Sequence, residues 1–89
     1  MYKLVFTSRM KRDVKLMKKR GKDLNKLQTV LEILMSGSEM PDKYKDHQLK
    51  GVMKDFRECH IEPDWLLLYQ KDNTELILLL LQQAHMRIY

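Results

Sequence analysis

Two apolar runs in the second half of the chain restrict the fold more than any other feature. Residues 66–69 and residues 76–81 contain no charged or amide side chain. Short runs that are apolar on both faces are typical of buried strands, and the polar residues 71–74 between them fit a hairpin loop. The longer run has six residues, whereas a membrane-spanning helix needs about 20. The runs therefore predict two central strands of a sheet that other elements must cover.

The first part of the chain predicts a strand followed by a helix. Residues 2–6 are rich in β-forming side chains. Thr7 or Ser8 can cap a helix that starts near Arg9, and Gly21 can end it as a C′ residue. Apolar side chains recur on one face of this helix at Met10, Val14 and Met17.

A second helix should follow almost at once. Asp23 can cap it, and residues 36–38, which read Ser-Gly-Ser, can end it. Its apolar face is formed by Leu24, Leu27, Leu31 and Leu34. The short connection predicts an antiparallel helical hairpin that covers one face of a sheet.

Residues 56–61 read as a further strand, so the predicted order of elements is β-α-α-β-β-β. We therefore predict an α+β fold, a small antiparallel sheet with the N-terminal helical hairpin packed on one face. Residues 1–89 are short enough for a single domain. The other face of the sheet stays open, and we expect the functional site there.

The net charge of +5 is concentrated at the start of the chain. Residues 1–26 carry ten Lys or Arg against two acids, a net +8, whereas the rest carries seven against ten, a net −3. A basic block of this kind fits a polyanion, most simply the phosphates of a nucleic acid. A solvated helix face is the alternative reading.

His47, His60 and His85 are the three histidines of the chain, and each is predicted near a loop or a strand end. Imidazoles act as acid or base near neutral pH. Two of them with a carboxylate suit RNA cleavage, in which one takes the 2′-hydroxyl proton and another protonates the leaving 5′-oxygen, with no metal or cofactor. Spacing alone favours three unrelated surface histidines. A zinc site is disfavoured because Cys59 is the single thiol and no ligand pair has the usual short spacing.

Other side chains near these histidines have two readings each. Asp64 could orient a histidine or act as a base, or it could simply close a turn. Trp65 could stack on substrate, or it could anchor the core. Tyr89 could stack on an unpaired base, or it could belong to a frayed terminus. The candidate cations near the site, each of which could also be an ordinary surface charge, are Lys50, Lys54, Arg57 and Arg87, and of these Lys50, Arg57 and Arg87 are the predicted substrate-binding residues.

The compartment follows from the cysteine count and from the N-terminus. One cysteine can form no internal disulfide, which fits a reducing compartment. The N-terminus is basic but has no apolar signal core. We expect a cytoplasmic protein with no membrane partner.

Two blocks of sequence closely resemble the YafQ branch of the RelE-type toxins. Residues 44–51 read YKDHQLKG and residues 57–69 read RECHIEPDWLLLY. The blocks have the order and about the spacing of the family, and KDLNKL at residues 22–27 extends the resemblance over nearly the whole chain. The family consists of toxins of type II toxin–antitoxin modules. They enter the ribosomal A site and cut the mRNA there by attack of its 2′-hydroxyl, without metal.

The resemblance implies a RelE-like fold, roles for particular residues, and partners. His47, His60, Asp64 and His85 match catalytic positions of the family, and Tyr89 matches a terminal aromatic residue that orients the substrate. The implied partners are a cognate antitoxin of the RelB/DinJ type, the 70S ribosome and its mRNA. DNA would be bound indirectly, through the antitoxin, and the basic first helices would face ribosomal RNA.

The chain departs from the family near its end. Where the family usually has an arginine and then a glycine, this chain has Leu81 and Gln83. Loss of a cation that clamps phosphate would weaken stabilisation of the transition state, although Arg87 could substitute. The resemblance therefore leaves a second hypothesis, a toxin-fold protein that binds antitoxin and ribosome with little or no cleavage.

Overall fold

The computed structural model of the protein describes residues 1–83. Its helices and strands are β1 (Lys3–Phe6), α1 (Ser8–Lys19), α2 (Leu24–Ser36), β2 (His47–Gln48), β3 (Arg57–Glu62), β4 (Trp65–Asp72) and β5 (Glu75–Gln83), with short 3-10 turns at Asp42–Tyr44 and Gly51–Met53. None of the helices in this part of the chain is long and apolar enough to cross a bilayer.

The five strands form one sheet in the order β1-β5-β4-β3-β2. The pairs β2–β3, β3–β4 and β4–β5 are antiparallel, whereas β1 and β5 are parallel. The predicted α+β class and the order of its main elements are confirmed. The sheet is mixed rather than purely antiparallel, because the helices carry the chain from β1 to the opposite edge and the meander then returns to β1. The prediction also missed β2, since two residues show no periodicity.

The helix ends follow the predicted caps. The Thr7 hydroxyl accepts a hydrogen bond from the Met10 amide at 3.0 Å, and Asp23 caps α2 through the Asn25 amide at 2.9 Å. After α1, Gly21 has a φ of +77°, a left-handed conformation that glycine adopts without steric cost.

Both helices pack on one face of the sheet. Side chains of α1 and α2 share a buried cluster with alternate residues of β3, β4 and β5. Because side chains along a strand alternate between faces, this cluster identifies the helix-covered face. Its fully buried strand residues include Cys59, Trp65, Leu67, Tyr69, Leu76 and Leu78.

Helix α1 also bonds to the outer edge of β5 where β1 has ended. The Thr7 hydroxyl donates to the Leu79 carbonyl at 2.9 Å, and the Leu81 amide donates to the Asp13 carboxylate at 3.1 Å. Asp13 is 7% exposed and pairs with Arg9 one turn earlier, at 2.9 Å. Side chains of a helix thus satisfy backbone groups that would otherwise lie on an unpaired strand edge.

Candidate active site

Three titratable side chains meet on the sheet face opposite the helices. In the β2–β3 pair His47 lies directly across from Glu58, so their side chains share a face. His60 is two residues after Glu58 on β3, which places it on the same face. Two predicted site residues, His47 and His60, are therefore brought together by the sheet.

A buried carboxylate lies between the two imidazoles. The Glu58 side chain is 3% exposed, and its Oε1 lies 3.5 Å from His47 Nε2 and 3.9 Å from His60 Nε2. The imidazoles are more open, with exposed fractions of 49% for His47 and 20% for His60. A proton on Nε2 of either ring would face Glu58, so one carboxylate can stabilise an imidazolium at either position.

Backbone carbonyls fix the orientation of both rings. His47 Nδ1 lies 2.8 Å from the Lys45 carbonyl, and His60 Nδ1 lies 3.0 Å from the Pro63 carbonyl. A carbonyl can accept but not donate, so each Nδ1 carries the proton of that hydrogen bond. In the neutral rings Nε2 is therefore the basic nitrogen, and it is the atom that faces Glu58.

Asp64 lies in the turn between β3 and β4. Its side chain is 58% exposed, and its Oδ1 lies 3.8 Å from Lys22 Nζ. The structure thus places Asp64 in the same hairpin as His60 and pairs it with a lysine of the α1–α2 connection. Lys50 is exposed in the segment that follows β2.

Arg57 is directed away from the histidines. It lies opposite Tyr69 in the β3–β4 pair, on the helix-covered face, and its guanidinium binds Asp46 at 2.9 Å. The Tyr69 hydroxyl donates a second hydrogen bond to Asp46. This contact with Asp46 raises the pKa of Arg57, and burial followed by the Asp46 contact raises that of Tyr69. The pairing of this charge within the fold argues against the prediction that Arg57 binds substrate.

The burial of Trp65 also argues against its predicted contact with substrate. Its side chain has no exposed surface and belongs to the core under the helices. The Lys22 Nζ lies 5.6 Å from the centre of its ring. A ring enclosed in this way packs against protein atoms and presents no face to a base.

The predicted residues at the end of the chain cannot be placed. His85, Arg87 and Tyr89 lie outside the described residues. Leu81 is 1% exposed and belongs to the core under the helices, so the position of the family arginine holds a core side chain here.

Glu58 is the site residue that the sequence interpretation missed. The available signal was its position two residues before His60 on a predicted strand, which places both side chains on one face. Its pairing with His47 depends on the register of β2, which no pattern in the sequence indicates. Within residues 1–83 no group of three or more His, Cys, Asp or Glu side chains is arranged to hold a metal ion.

Comparison with known proteins connects this arrangement to one family. A family model described as a bacterial toxin of type II toxin–antitoxin system, YafQ, matches residues 2–88. The mRNA interferase toxin YafQ of Escherichia coli strain K12 is 42% identical over 66 residues, which cover 73% of this chain and 72% of the relative. A putative toxin YafQ of Haemophilus influenzae is 32% identical over 71 residues, which cover 76% and 70%.

Solved structures with the same fold include free, complexed and metal-bound proteins. A copper-bound mutant toxin from Helicobacter pylori superposes with a TM-score of 0.92 at 36% identity, covering 96% of this chain and 97% of the relative. YafQ from E. coli strain BL21(DE3) gives 0.88 at 32% identity, with 96% of each chain covered. The E. coli DinJ-YafQ complex gives the same score, identity and coverage.

Proposed function

This chain belongs to the YafQ family of type II toxin–antitoxin toxins, and from that premise we propose that it is a ribosome-dependent mRNA endonuclease. It would cleave mRNA in the ribosomal A site by attack of the 2′-hydroxyl and so inhibit translation. The observation that carries this proposal is that two imidazole Nε2 atoms lie close to the same buried carboxylate, that of Glu58.

The chemistry needs one group that accepts a proton and one that donates a proton. As the 2′-oxygen bonds to phosphorus, its proton passes to a neutral imidazole, and as the bond from phosphorus to the 5′-oxygen breaks, a protonated imidazole gives that oxygen a proton. The products are a 2′,3′-cyclic phosphate and a free 5′-hydroxyl. His47 and His60 offer a basic Nε2 to this reaction, and Glu58 stabilises the ring that becomes charged.

The remaining predicted residues complete the proposal. Asp64 and His85 are proposed as further catalytic groups, Tyr89 as the aromatic side chain that orients the substrate, and Lys50 and Arg87 as phosphate-binding cations. The basic residues among positions 1–26 other than the largely buried Lys22 would face ribosomal RNA, because their excess charge suits a phosphate backbone.

The proposed partners follow from the relatives. Their structures include the E. coli DinJ-YafQ complex, and we propose a cognate DinJ-type antitoxin for this chain. DNA would be reached through that antitoxin. The proposed site of action is the cytoplasm, where the 70S ribosome and its mRNA are found.

The proposed cleavage requires no metal ion, because the acid and base are side chains. Two structures of toxins from H. pylori were solved in copper-bound and metal-bound form, so metal dependence should be measured directly. Purified protein treated with EDTA should cut as fast as untreated protein. Activity that falls with EDTA and returns with one divalent metal would contradict this part of the proposal.

A translating-ribosome assay tests the central claim. Purified protein is added to ribosomes that translate a defined mRNA, and new 5′ ends are mapped by primer extension. We expect ends in register with the reading frame, absent from naked mRNA and lost with His60→Ala. Stalled ribosomes on intact mRNA would instead indicate the second hypothesis, a toxin-fold protein that binds without cutting.

A further inference from the structure

We propose that Lys22 is a positioning residue for the active site, since it holds the turn whose carbonyl orients the His60 imidazole. Lys22 lies in the connection between α1 and α2, outside the sheet that carries the histidines. Its effect on cleavage rests on the proposed function, whereas its effect on the imidazole of His60 can be measured in the free protein.

The turn that Lys22 contacts does not have the backbone conformation that is favoured between two antiparallel strands. Glu62 pairs with Trp65, so Pro63 and Asp64 form a two-residue connection. The favoured turns at such connections need a positive φ at the first position, and proline is locked near about −65°. Within residues 1–83 the non-glycine residues with positive φ are Lys45 and Asn73. The register of the β3–β4 pair also shifts between His60 and Glu62, so contacts from outside the hairpin should matter here.

Lys22 supplies those contacts on both sides of Pro63. Its Nζ lies 3.0 Å from Glu62 Oε1 and 3.8 Å from Asp64 Oδ1. The Lys22 side chain is 16% exposed, and its amine stands 5.6 Å from the centre of the Trp65 ring, a cation–π distance. Lys22 thus contacts both carboxylates that flank Pro63 from a largely buried position, and Lys26 makes a second contact with Glu62 at 2.7 Å.

The backbone of Lys22 is itself fixed by the end of α1. The Lys22 amide donates to the Met17 carbonyl at 3.0 Å, and the Gly21 amide donates to the Lys18 carbonyl at 3.1 Å. This pair of hydrogen bonds is the Schellman motif that closes a helix. The cation is therefore attached to a rigid point, which a positioning role requires.

The Pro63 carbonyl transmits this restraint to the active site. It accepts the hydrogen bond from His60 Nδ1 at 3.0 Å, which keeps the proton on Nδ1 and leaves Nε2 directed at Glu58. If the turn moved, this hydrogen bond would lengthen and both imidazole tautomers would become populated. Lys22 therefore acts on the chemistry through His60, by way of the Pro63 carbonyl, and through its contact with the proposed catalytic group Asp64. It needs no contact with the substrate.

Imidazole NMR of the free protein tests this mechanism without any assay of activity. Long-range ¹H–¹⁵N spectra distinguish the two tautomers of His60, and we expect a single Nδ1–H form in the native protein. Lys22→Met, which removes the charge and keeps the aliphatic stem, should give a mixture of tautomers. Lys19→Met is the control, since it removes an exposed lysine from the last turn of α1, and it should leave the His60 signals unchanged.

A second variant keeps the test decisive if Lys22→Met does not fold. Glu62→Gln removes the nearer carboxylate of Lys22 and should shift the His60 signals in the same direction. His60 signals that are unchanged in both folded variants would overturn the proposal.

Cleavage kinetics on the ribosome distinguish positioning from RNA binding. A 1 Å misplacement of a reacting group can cost on the order of 100-fold, so Lys22→Met should lower kcat by about 10- to 100-fold with KM unchanged, and Lys22→Arg should restore most of the rate. A rise in KM at constant kcat would overturn the proposal and make Lys22 a ribosome contact. If the native protein cuts no mRNA at all, the proposed function fails, and the NMR result still decides the role of Lys22.

Discussion

Glu58 Oε1 and His47 Nε2 lie 3.5 Å apart across the short β2–β3 pair. The glutamate is buried and the imidazole is about half exposed, so a charge on the glutamate is enclosed while the histidine remains open to a ligand. Enclosing a carboxylate costs free energy unless positive charge or hydrogen bonds compensate it. The position of this carboxylate between two imidazoles that can become charged fits a role in proton transfer.

Replacement of Glu58 by glutamine should therefore lower catalysis more than stability. Glu58→Gln keeps the size of the side chain and removes the charge that stabilises an imidazolium. We expect kcat on ribosome-bound mRNA to fall by roughly 100-fold, at the low end of general acid–base contributions, with the melting temperature unchanged or raised. Glu32→Gln on the exposed surface of α2 is the control. An unchanged kcat in Glu58→Gln would show that the carboxylate has no part in the mechanism.

The two histidines should behave as one unit. Both direct Nε2 at the same oxygen of Glu58, so the loss of either should disable the proton transfers that need both. His47→Ala and His60→Ala should each lower kcat by at least about 100-fold, and the double variant should be scarcely slower than the worse single variant. Losses that multiply would show that the histidines act independently.

Arg57 should contribute to stability and not to catalysis. Arg57→Ala leaves the Asp46 carboxylate without its guanidinium partner, and hydrogen bonds to charged groups are worth about 1.5–3 kcal/mol. We expect urea unfolding to report a loss in that range, while the folded variant keeps its kcat. Asp55→Asn, which removes an exposed charge nearby, should change neither quantity. A large fall in kcat for Arg57→Ala would show that this residue does act on the substrate.

Cys59 should be chemically silent in the folded protein. Burial is the main cause that raises the pKa of its thiol, and the negative charges of Asp46 and Glu58 raise it further. Because the thiolate is the reactive form, a thiol reagent such as DTNB should modify Cys59 at pH 8 no faster than the protein unfolds. Rapid modification of the native protein would show that the core under α2 opens locally.

Glu62 should contribute to stability in a way that depends on pH. Hydrogen bonds from Lys26 and then from Lys22 lower the pKa of Glu62 below the usual value of about 4.5. A depressed carboxyl pKa stabilises the folded state above the unfolded pKa, and this contribution disappears as the pH falls through the folded pKa. The difference in urea midpoint between the native protein and Glu62→Gln should therefore be present at pH 7 and vanish near pH 2. A difference that persists in acid would mean that packing, not charge, is responsible.

Most of the fold could be predicted because it depends on local signals. Thr7 and Asp23 cap the helices, Gly21 ends the first one, and the apolar runs mark β4 and β5. The place of β1 beside β5 could not be predicted, since residues 3 and 75 pair without any local signal. The mixed character of the sheet follows from that distant pairing.

The candidate site was predicted less completely than the fold. Arg57 and His60 are three residues apart on one strand, so their side chains lie on opposite faces. The sequence therefore already indicated that Arg57 is directed away from His60. The sequence held no such information for Trp65, because residues 65–69 are apolar at every position and no alternation shows which face the helices cover. The approach of His47 to Glu58 depends on a strand of two residues, which only the folded chain reveals.

The bonds from Thr7 and Asp13 to β5 have a consequence for self-association. An unpaired strand edge is a template on which another chain can add a strand, and α1 closes that template over Leu79 and Leu81. Among the described strands, edge-on addition is then left to the outer sides of β1 and of the two-residue β2. The helix that carries much of the positive charge therefore also removes one place at which a second chain could add a strand.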